Sequence, residues 1–431
     1  MADLRPVYVA GDGNVKGPAS SSNNFLPLFA DVTGKQLKSS GTGVTTQGLA
    51  ILDDNTPAEQ RNTIGLNQVN NTSDINKPVS TSQQNALNLK ANKGANSDIT
   101  SITGLTTALA VNQGGTGAFE PDQARSNLLV TGRNRVINGS MRIISRGNRT
   151  FANNQIGYAG PDRWLALNQA AGGQFTQSAS SITEKGITVP AIRQTVNSAM
   201  TDAGGSKHWA GFVQRIEGFN SYDLVNKVLS VSFLFLTNVT GKFSVRVLDS
   251  NSTHSFIHPF AAVANVPIRI SFTMPANPNL VIPRTNVMGM FVGVGMYNAG
   301  TAVAPTPDVW LNGAYGTMGG VFWPGVVGNF ISMAEFQLEV GTPTPFERID
   351  VAQESAQCLR YFENVSITVN TNNMNWVWWR YSVNKRATCT LALISGDMKG
   401  VNVSPQDSTG FRTSGQASSD SDAYWACDSE L

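Results

Sequence analysis

RNRVINGSMRIISRGNRTFANNQIGYAGPDRW, Arg133 to Trp164, is where the chain changes character. Upstream, no aromatic residue falls between Phe29 and Phe119, and no Trp, His or Cys occurs. All eight Trp, all three His and all three Cys lie within or beyond the stretch, among hydrophobic runs that alternate with polar residues. A segment so poor in large apolar side chains cannot, in one copy, bury enough surface to offset the entropy of ordering it. The segment that follows can, so the chain reads as a slender shaft followed by a folded head.

Composition points the same way. Charged residues are 14% of the 431, against about 25% in ordinary globular chains. Gly, Ser, Thr and Asn take their place, which suits a β-rich, loop-rich extracellular or virion protein and suits a helical enzyme poorly. The net charge of +2 comes without any Lys/Arg cluster, so a nucleic-acid partner is not expected. MADLRPVYVAG has no basic start followed by an apolar run, and no window reaches the ~20 apolar residues of a membrane span. That favours a chain made in the cytoplasm and not inserted in a membrane. Cys358, Cys389 and Cys427 are far apart and form no CxxC, which favours free thiols.

Downstream of the stretch the signal is strand after strand: Val228–Leu236 (VLSVSFLFL), Phe243–Leu248, Ile268–Met274, Met288–Met296 and Phe330–Val340, punctuated by Gly, Pro and Asn. Many short strands without a long helical pattern give a β-sandwich head over 133–350, with jelly-roll topology. Residues 351–431 form a small β-rich tip domain: a helix over Gln353–Tyr361, then strands at Val365–Val369, Trp376–Val383 and Ala387–Leu393.

Upstream, Val7-Tyr8-Val9 and Phe25-Leu26-Pro27-Leu28-Phe29 bracket a Gly-rich turn, a pair of strands too small to stand alone. TPAEQRNTIGL (56–66) and EPDQARSNLLV (120–130) form an internal repeat, with Pro57 matching Pro121 and Arg61 matching Arg125. Pro in the first turn followed by Glu or Gln predicts one short helix in each copy. Between the copies the large apolar residues are thinly spread, Ile102, Leu105 and Leu109 at spacings of three and four among them. They can build a core over 46–132 only if several chains align along one axis, as in a coiled coil or an intertwined trimer. The competing reading is a flexible linker. Fully extended, such a shaft reaches about 280 Å at about 3.3 Å per residue.

A search for chemistry finds no GxSxG and no HExxH. His254 and His258 are four apart, but Ser255-Phe256-Ile257 supplies no Glu between them. Asp420, Asp422, Asp428 and Glu430 read as a solvated acidic terminus, not a cation loop or an acid and base pair. No catalytic residue, cofactor or metal is therefore assigned. Binding is better supported, because sugars stack their C–H faces on aromatic rings while Asn, Asp and Arg take their hydroxyls. The candidates are Trp376, Trp378, Trp379 and Tyr381 in WVWWRY, where alternation puts the first two on one face and the last two on the other. Tyr424-Trp425 near the end and Trp310 with Trp323 around GAYGTMGGVFWPG complete the set.

Asn138-Gly139, Arg146-Gly147, Tyr158 and Asp162-Arg163-Trp164 together resemble the opening of the β-sandwich head of bacteriophage tail fibres, whose versions carry Trp-Gln where Ile144-Ser145 stand here. Gly114-Gly115-Thr116-Gly117-Ala118 before the second helix, and Thr72-Ser73-Asp74 leading to Lys77-Pro78-Val79-Ser80-Thr81 and Ala86-Leu87, are similar to fibre shafts. Phe336 to Gly341 with Thr344-Pro345-Phe346-Glu347 resembles the closing strand of jelly-roll carbohydrate-binding modules and of fibre heads. Glu354 to Phe362 and the final Glu430-Leu431 are similar to fibre tips. The resemblance implies a homotrimeric virion protein held to the tail or baseplate through residues 1–45, with Val7, Tyr8, Phe25 and Phe29 at the attachment. It also implies host attachment through a bacterial surface receptor, a glycan foremost. T4-like tips bind iron through His-x-His pairs, which this sequence lacks. The alternatives are an adaptor that binds another phage tail protein and, behind it, a polysaccharide-degrading tailspike.

Overall fold

The computed structural model describes residues 25–29, 37–43, 45–69, 78–88, 104–119, 121–128, 130, 132–169, 172–201, 209–297, 303–371 and 376–431. Its contacts divide the chain into Met1–Gly104 and Leu105–Leu431, a boundary inside the stretch read as shaft. In the first unit β1 (Phe25–Phe29) pairs antiparallel with β2 (Leu37–Gly43). Val7 and Tyr8, read as the partner strand, lie outside the described residues. Helices α1 (Thr46–Leu52), α2 (Pro57–Thr63) and α3 (Thr81–Asn88) follow. Thr56 and Glu59 close a reciprocal capping box on α2, with Pro57 at its start, satisfying backbone donors that the first turn leaves open. None of the three helices buries a residue.

The second unit opens with the Gly-rich turn and α4 (Pro121–Asn127), the second copy of the repeat. Asn127 Nδ2 donates to the Thr116 carbonyl at 2.8 Å, so the turn and the helix are one piece. Gln123 in turn bonds Thr342 just past the closing strand of the head. Leu105 and Leu109, read as part of a core shared by several aligned chains, lie in non-helical chain, and Ile102 is outside the described residues.

The head is a sandwich of two antiparallel sheets. Its strands in chain order are β3 (Arg149–Phe151), β4 (Ile156–Tyr158), β5 (Leu165–Gln169), β6 (Gln174–Glu184), β7 (Ile187–Ser198), β8 (Trp209–Glu217), β9 (Leu229–Thr237), β10 (Gly241–Asp249), β11 (His254–Ala262), β12 (Ile268–Met274), β13 (Met288–Tyr297), β14 (Trp310–Asn312) and β15 (Phe330–Val340). One sheet runs β14-β11-β10-β13-β8-β5-β4 and the other β12-β9-β15-β7-β6-β3. From β8 to β13 the chain passes repeatedly from one sheet to the other, the habit of jelly rolls. Inward Phe233, Phe235 and Phe336 meet Phe212, Phe243 and Phe260 in one core, with the Phe235 and Phe243 rings 5.1 Å apart across the sheets.

Arg133 to Trp164 is mostly irregular backbone fixed by its own polar groups. Asn138 takes a left-handed φ of 55°, which Asn tolerates better than most residues. Its Nδ2 donates to the Ile143 and Asp162 carbonyls, and its own carbonyl accepts from Trp164 Nε1 at 3.1 Å. Asp162 accepts from the Ser145 and Arg146 N–H groups. The stretch thus closes a corner that buries Trp164 against Phe336.

Residues 351–431 fold as a smaller sandwich. After α5 (Val351–Leu359) come β16 (Phe362–Val369), β17 (Val377–Arg380), β18 (Thr390–Gly396), β19 (Asn402–Pro405), β20 (Gly410–Ser414) and β21 (Ser421–Asp428), in two sheets ordered β16-β21-β18 and β17-β20-β19. This module is tied to the head by buried charge. Arg163 pairs with Glu430 and lies 3.5 Å from the Tyr361 ring centroid, and Arg146 meets Asp428 and Glu430 at 3.1 and 3.0 Å. Arg360 and Tyr361 Oη both bond Glu217. The acidic end departs from a solvated tail at one residue: the Glu430 side chain is buried between two arginines, whereas Asp428 is 40% exposed and Asp420 and Asp422 are exposed while accepting from Thr371 and Thr368. Two guanidiniums facing this end from the head explain the difference.

Candidate binding face

The inner faces of the two small sheets share one core, where Ile367, Val369, Ala423 and Cys427 from β16 and β21 meet Phe411 from β20 and Tyr381. Alternation then decides each aromatic on β17. Trp379 packs inward, stacked on Phe411 at 6.3 Å between ring centroids with its Nε1 donating to Thr413. Tyr381 is buried, and burial pushes its phenol well above the ordinary tyrosine range, with the bond to Cys389 adding to the rise. Tyr381 therefore belongs to the core, and Trp379 is partly buried against it, on the side of β17 opposite Trp376 and Trp378. Trp376 and Trp378 face the other way, 55% and 44% exposed. On β20 Arg412 lies directly opposite Trp378, and Ser404 of β19 lies opposite Arg412.

This outer face is flat for a definite reason. A Cβ at Gly410 would lie 2.8 Å from Trp378 Nε1 and 2.3 Å from the Trp379 carbonyl, so the indole lies across the glycine. Arg412 sets its guanidinium 4.7 Å from the Trp376 ring centroid. Two exposed indoles, flanked by Arg380, Arg412, Ser404, Asn402 and Ser414, give an apolar surface inside a hydrogen-bonding rim. Such a surface can hold a ring by stacking and fix its substituents by polar contacts. Arg412 and Gly410 escaped notice in the sequence because GFRTS is short and polar; its one signal is Phe411 and Thr413 alternating with Arg412.

The remaining aromatics are elsewhere. Trp323 is fully buried, donating to the Gly295 carbonyl and packed near Phe175, so this tryptophan belongs to the head core. Trp310 is half-buried on the edge strand β14, set edge-on against Phe256 and bonded to the Pro275 carbonyl. Trp425 is half-buried against the module core. Tyr424 is 49% exposed, but on the outer face of β16-β21-β18, which points away from the Trp376 face because the inner faces of the two sheets meet. Beside that sheet an open cleft of about 560 Å³ lies between module and head, lined by Arg146, Tyr158, Asn148, Asn364, Ile394 and Asp428 among others. Its central guanidinium, Arg146, is already committed to Asp428 and Glu430 and to the Phe362 ring 3.7 Å away.

No family model and no curated protein matches this chain. Solved structures similar to it include a CBM4 structure (13% identity, TM-score 0.26, 47% of this chain and 98% of the other). Another is the C-terminal family 22 carbohydrate binding module of a Clostridium thermocellum protein (9%, 0.24, 47% and 98%). A third is TmCBM61 in complex with β-1,4-galactotriose (10%, 0.22, 48% and 99%). These neighbours are carbohydrate-binding modules, and TM-scores this low do not carry their ligands over to this chain. Among the described residues, no group of three or more His, Cys, Asp or Glu is arranged to hold a metal ion.

Proposed function

We propose that this chain is a homotrimeric phage tail fibre that attaches the virion to a bacterial surface glycan through the Trp376/Trp378 face. The observation that carries the binding reading is the exposed pair Trp376 and Trp378, the Trp378 indole lying against Gly410 and the Trp376 ring beside the Arg412 guanidinium. The fibre reading is supported by the shaft, head-opening and tip motifs of the sequence. It is also supported by helices that bury nothing in a single chain while Ile51, Leu52, Ile64, Leu66, Val79 and Leu87 stay exposed, an arrangement that further copies would relieve. In this reading residues 1–45 hold the tail, residues 46–132 space the tip from it, and three weak sites on one trimer act together. The role is binding, not hydrolysis.

The test is adsorption of the purified full chain to host cells with and without their surface glycan, beside sedimentation in solution. A trimer that adsorbs only to glycan-bearing cells, and whose Trp376→Ala/Trp378→Ala variant sediments and melts normally but no longer adsorbs, is the expected result. A monomer in sedimentation, or full adsorption by the double variant, overturns it.

A further inference from the structure

The face that carries Trp376 and Trp378 also holds the two cations of residues 351–431 that the protein does not use internally. Arg360 grips Glu217 through two bonds of 3.1 and 2.6 Å, and Lys385 Nζ is 2.7 Å from Glu363. Arg386 donates to the Ser429, Glu430 and Asn286 carbonyls, and Lys399 pairs with Asp397 at 3.0 Å. Of the six cations in residues 351–431, Arg380 and Arg412 are the two with no carboxylate or carbonyl partner among the described residues. Arg412 is directly opposite Trp378, and Arg380 is the next residue of β17 on that face. Side chains in such positions stand about 5 to 8 Å apart.

Negative charge is missing from the same surface. Outward positions of β17, β20 and β19 are Trp378, Arg380, Gly410, Arg412, Ser414, Asn402 and Ser404. The nearest acid in sequence, Asp407 in the β19–β20 turn, is turned onto Thr409. With its guanidinium 4.7 Å from the Trp376 ring centroid and no hydrogen-bond acceptor among the described residues, Arg412 has N–H groups available to take a carboxylate or phosphate through two parallel bonds. We infer that the ligand of this face is an acidic glycan: a sugar ring lies on Trp378 while its carboxylate or phosphate group is taken by Arg412 and Arg380. This rests on the glycan-binding reading of the face and adds the class of sugar. The bare charge excess favours an anion, and the paired indoles favour a saccharide over a featureless polyanion or a second copy of this chain.

The experiment uses the full chain and immobilised surface polysaccharide extracted from a Gram-negative strain to which that chain adsorbs. Binding is compared on native, carboxyl-reduced and dephosphorylated polysaccharide, with polyglutamate as a second surface. The expected result is a loss of about tenfold on one of the two treatments, which names the acidic group, and a similar loss on native polysaccharide for Arg412→Gln and Arg380→Gln. These exposed substitutions are checked by thermal unfolding and sedimentation. If both treated polysaccharides bind like the native one while Trp376→Ala/Trp378→Ala still abolishes binding, the acidic assignment falls and the glycan reading stands. If the tryptophan variant binds normally, the face itself is wrong and both fall. Equal binding to polyglutamate, or arginine variants that change the oligomeric state, overturns the inference in favour of a polyanion surface or a contact between copies.

Discussion

Gly139 and Phe336 meet backbone to backbone: the Phe336 N–H donates to the Gly139 carbonyl at 3.0 Å, and a Cβ on Gly139 would lie 2.1 Å from the Phe336 carbonyl oxygen. The corner of the head therefore seats directly on the closing strand, and Asn134, bonded to the Phe336 carbonyl and the Leu338 N–H, continues the contact.

Gly139→Ala has to push that backbone apart. Overpacking of this kind costs about 1–3 kcal/mol, and the displaced partner here is a hydrogen-bonded strand, so the upper end is expected in denaturant unfolding of the full chain. Gly147→Ala is the control within the same stretch, because nothing lies within 4 Å of the Cβ it would add; its unfolding midpoint should stay close to wild type.

Glu430 holds the small module to the head, and its loss should be felt as a buried charge left alone. The side chains of Arg163 and Arg146 are 1% and 8% exposed, and removing one partner of a buried pair costs about 3–5 kcal/mol. Glu430→Gln should lower stability by an amount in that range. Asp428→Asn, at a carboxylate 40% exposed, should cost about 0–1 kcal/mol. Equal effects in denaturant titrations would refute the clamp.

How much of this was legible in the sequence depends on where the apolar residues lie. VLSVSFLFL and FISMAEFQLEV alternate or run apolar because both strands sit centrally over the core, and their bounds fall within a residue or two of β9 and β15. By contrast β6 and β7 escaped the reading because inward positions are filled by glutamine. Gln194 donates to Gln177, and Gln177 donates to the Ala159 and Trp164 carbonyls, a buried polar network that breaks the expected alternation. At the candidate face, alternation separated Trp376 and Trp378 from Trp379 and Tyr381, but only Phe411 on another strand decides which pair is core. Arg412 and the burial of Glu430 depend on partners distant in sequence, which no local pattern discloses.

Asp249 gives the head an acid-sensitive loop. Its carboxylate is buried, which alone would raise its pKa. Hydrogen bonds from Thr253, His254 and Val281 outweigh that and hold it below the ordinary aspartate value of 3.8. The folded state then binds this proton more weakly than the unfolded one. Its stabilising contribution is complete above the unfolded value and is lost as pH falls below about 3.8 through the folded value. Asp249→Asn should destabilise the head near neutral pH and flatten the dependence of unfolding free energy on pH in that acid window; an unchanged slope would refute the assignment.

The three cysteines should be silent until the fold opens. Burial pushes the Cys427 thiol up to about 12 and raises Cys358 and Cys389 as well, and all three side chains are buried and unbridged. Because the thiolate is the reactive form and free cysteine ionises near pH 8.5, the native thiolate population at pH 8 is small and sterically shielded. A thiol reagent such as a nitrobenzoate disulfide should therefore release almost no chromophore from the native protein and three equivalents after denaturation. Cys389 and Cys427 both belong to the core beneath the tryptophan-bearing sheet. Their labelling rate under mild denaturant consequently reports opening of the small sandwich, and it should rise in Glu430→Gln if the clamp steadies that module. Rapid native labelling would mean that this core is not closed.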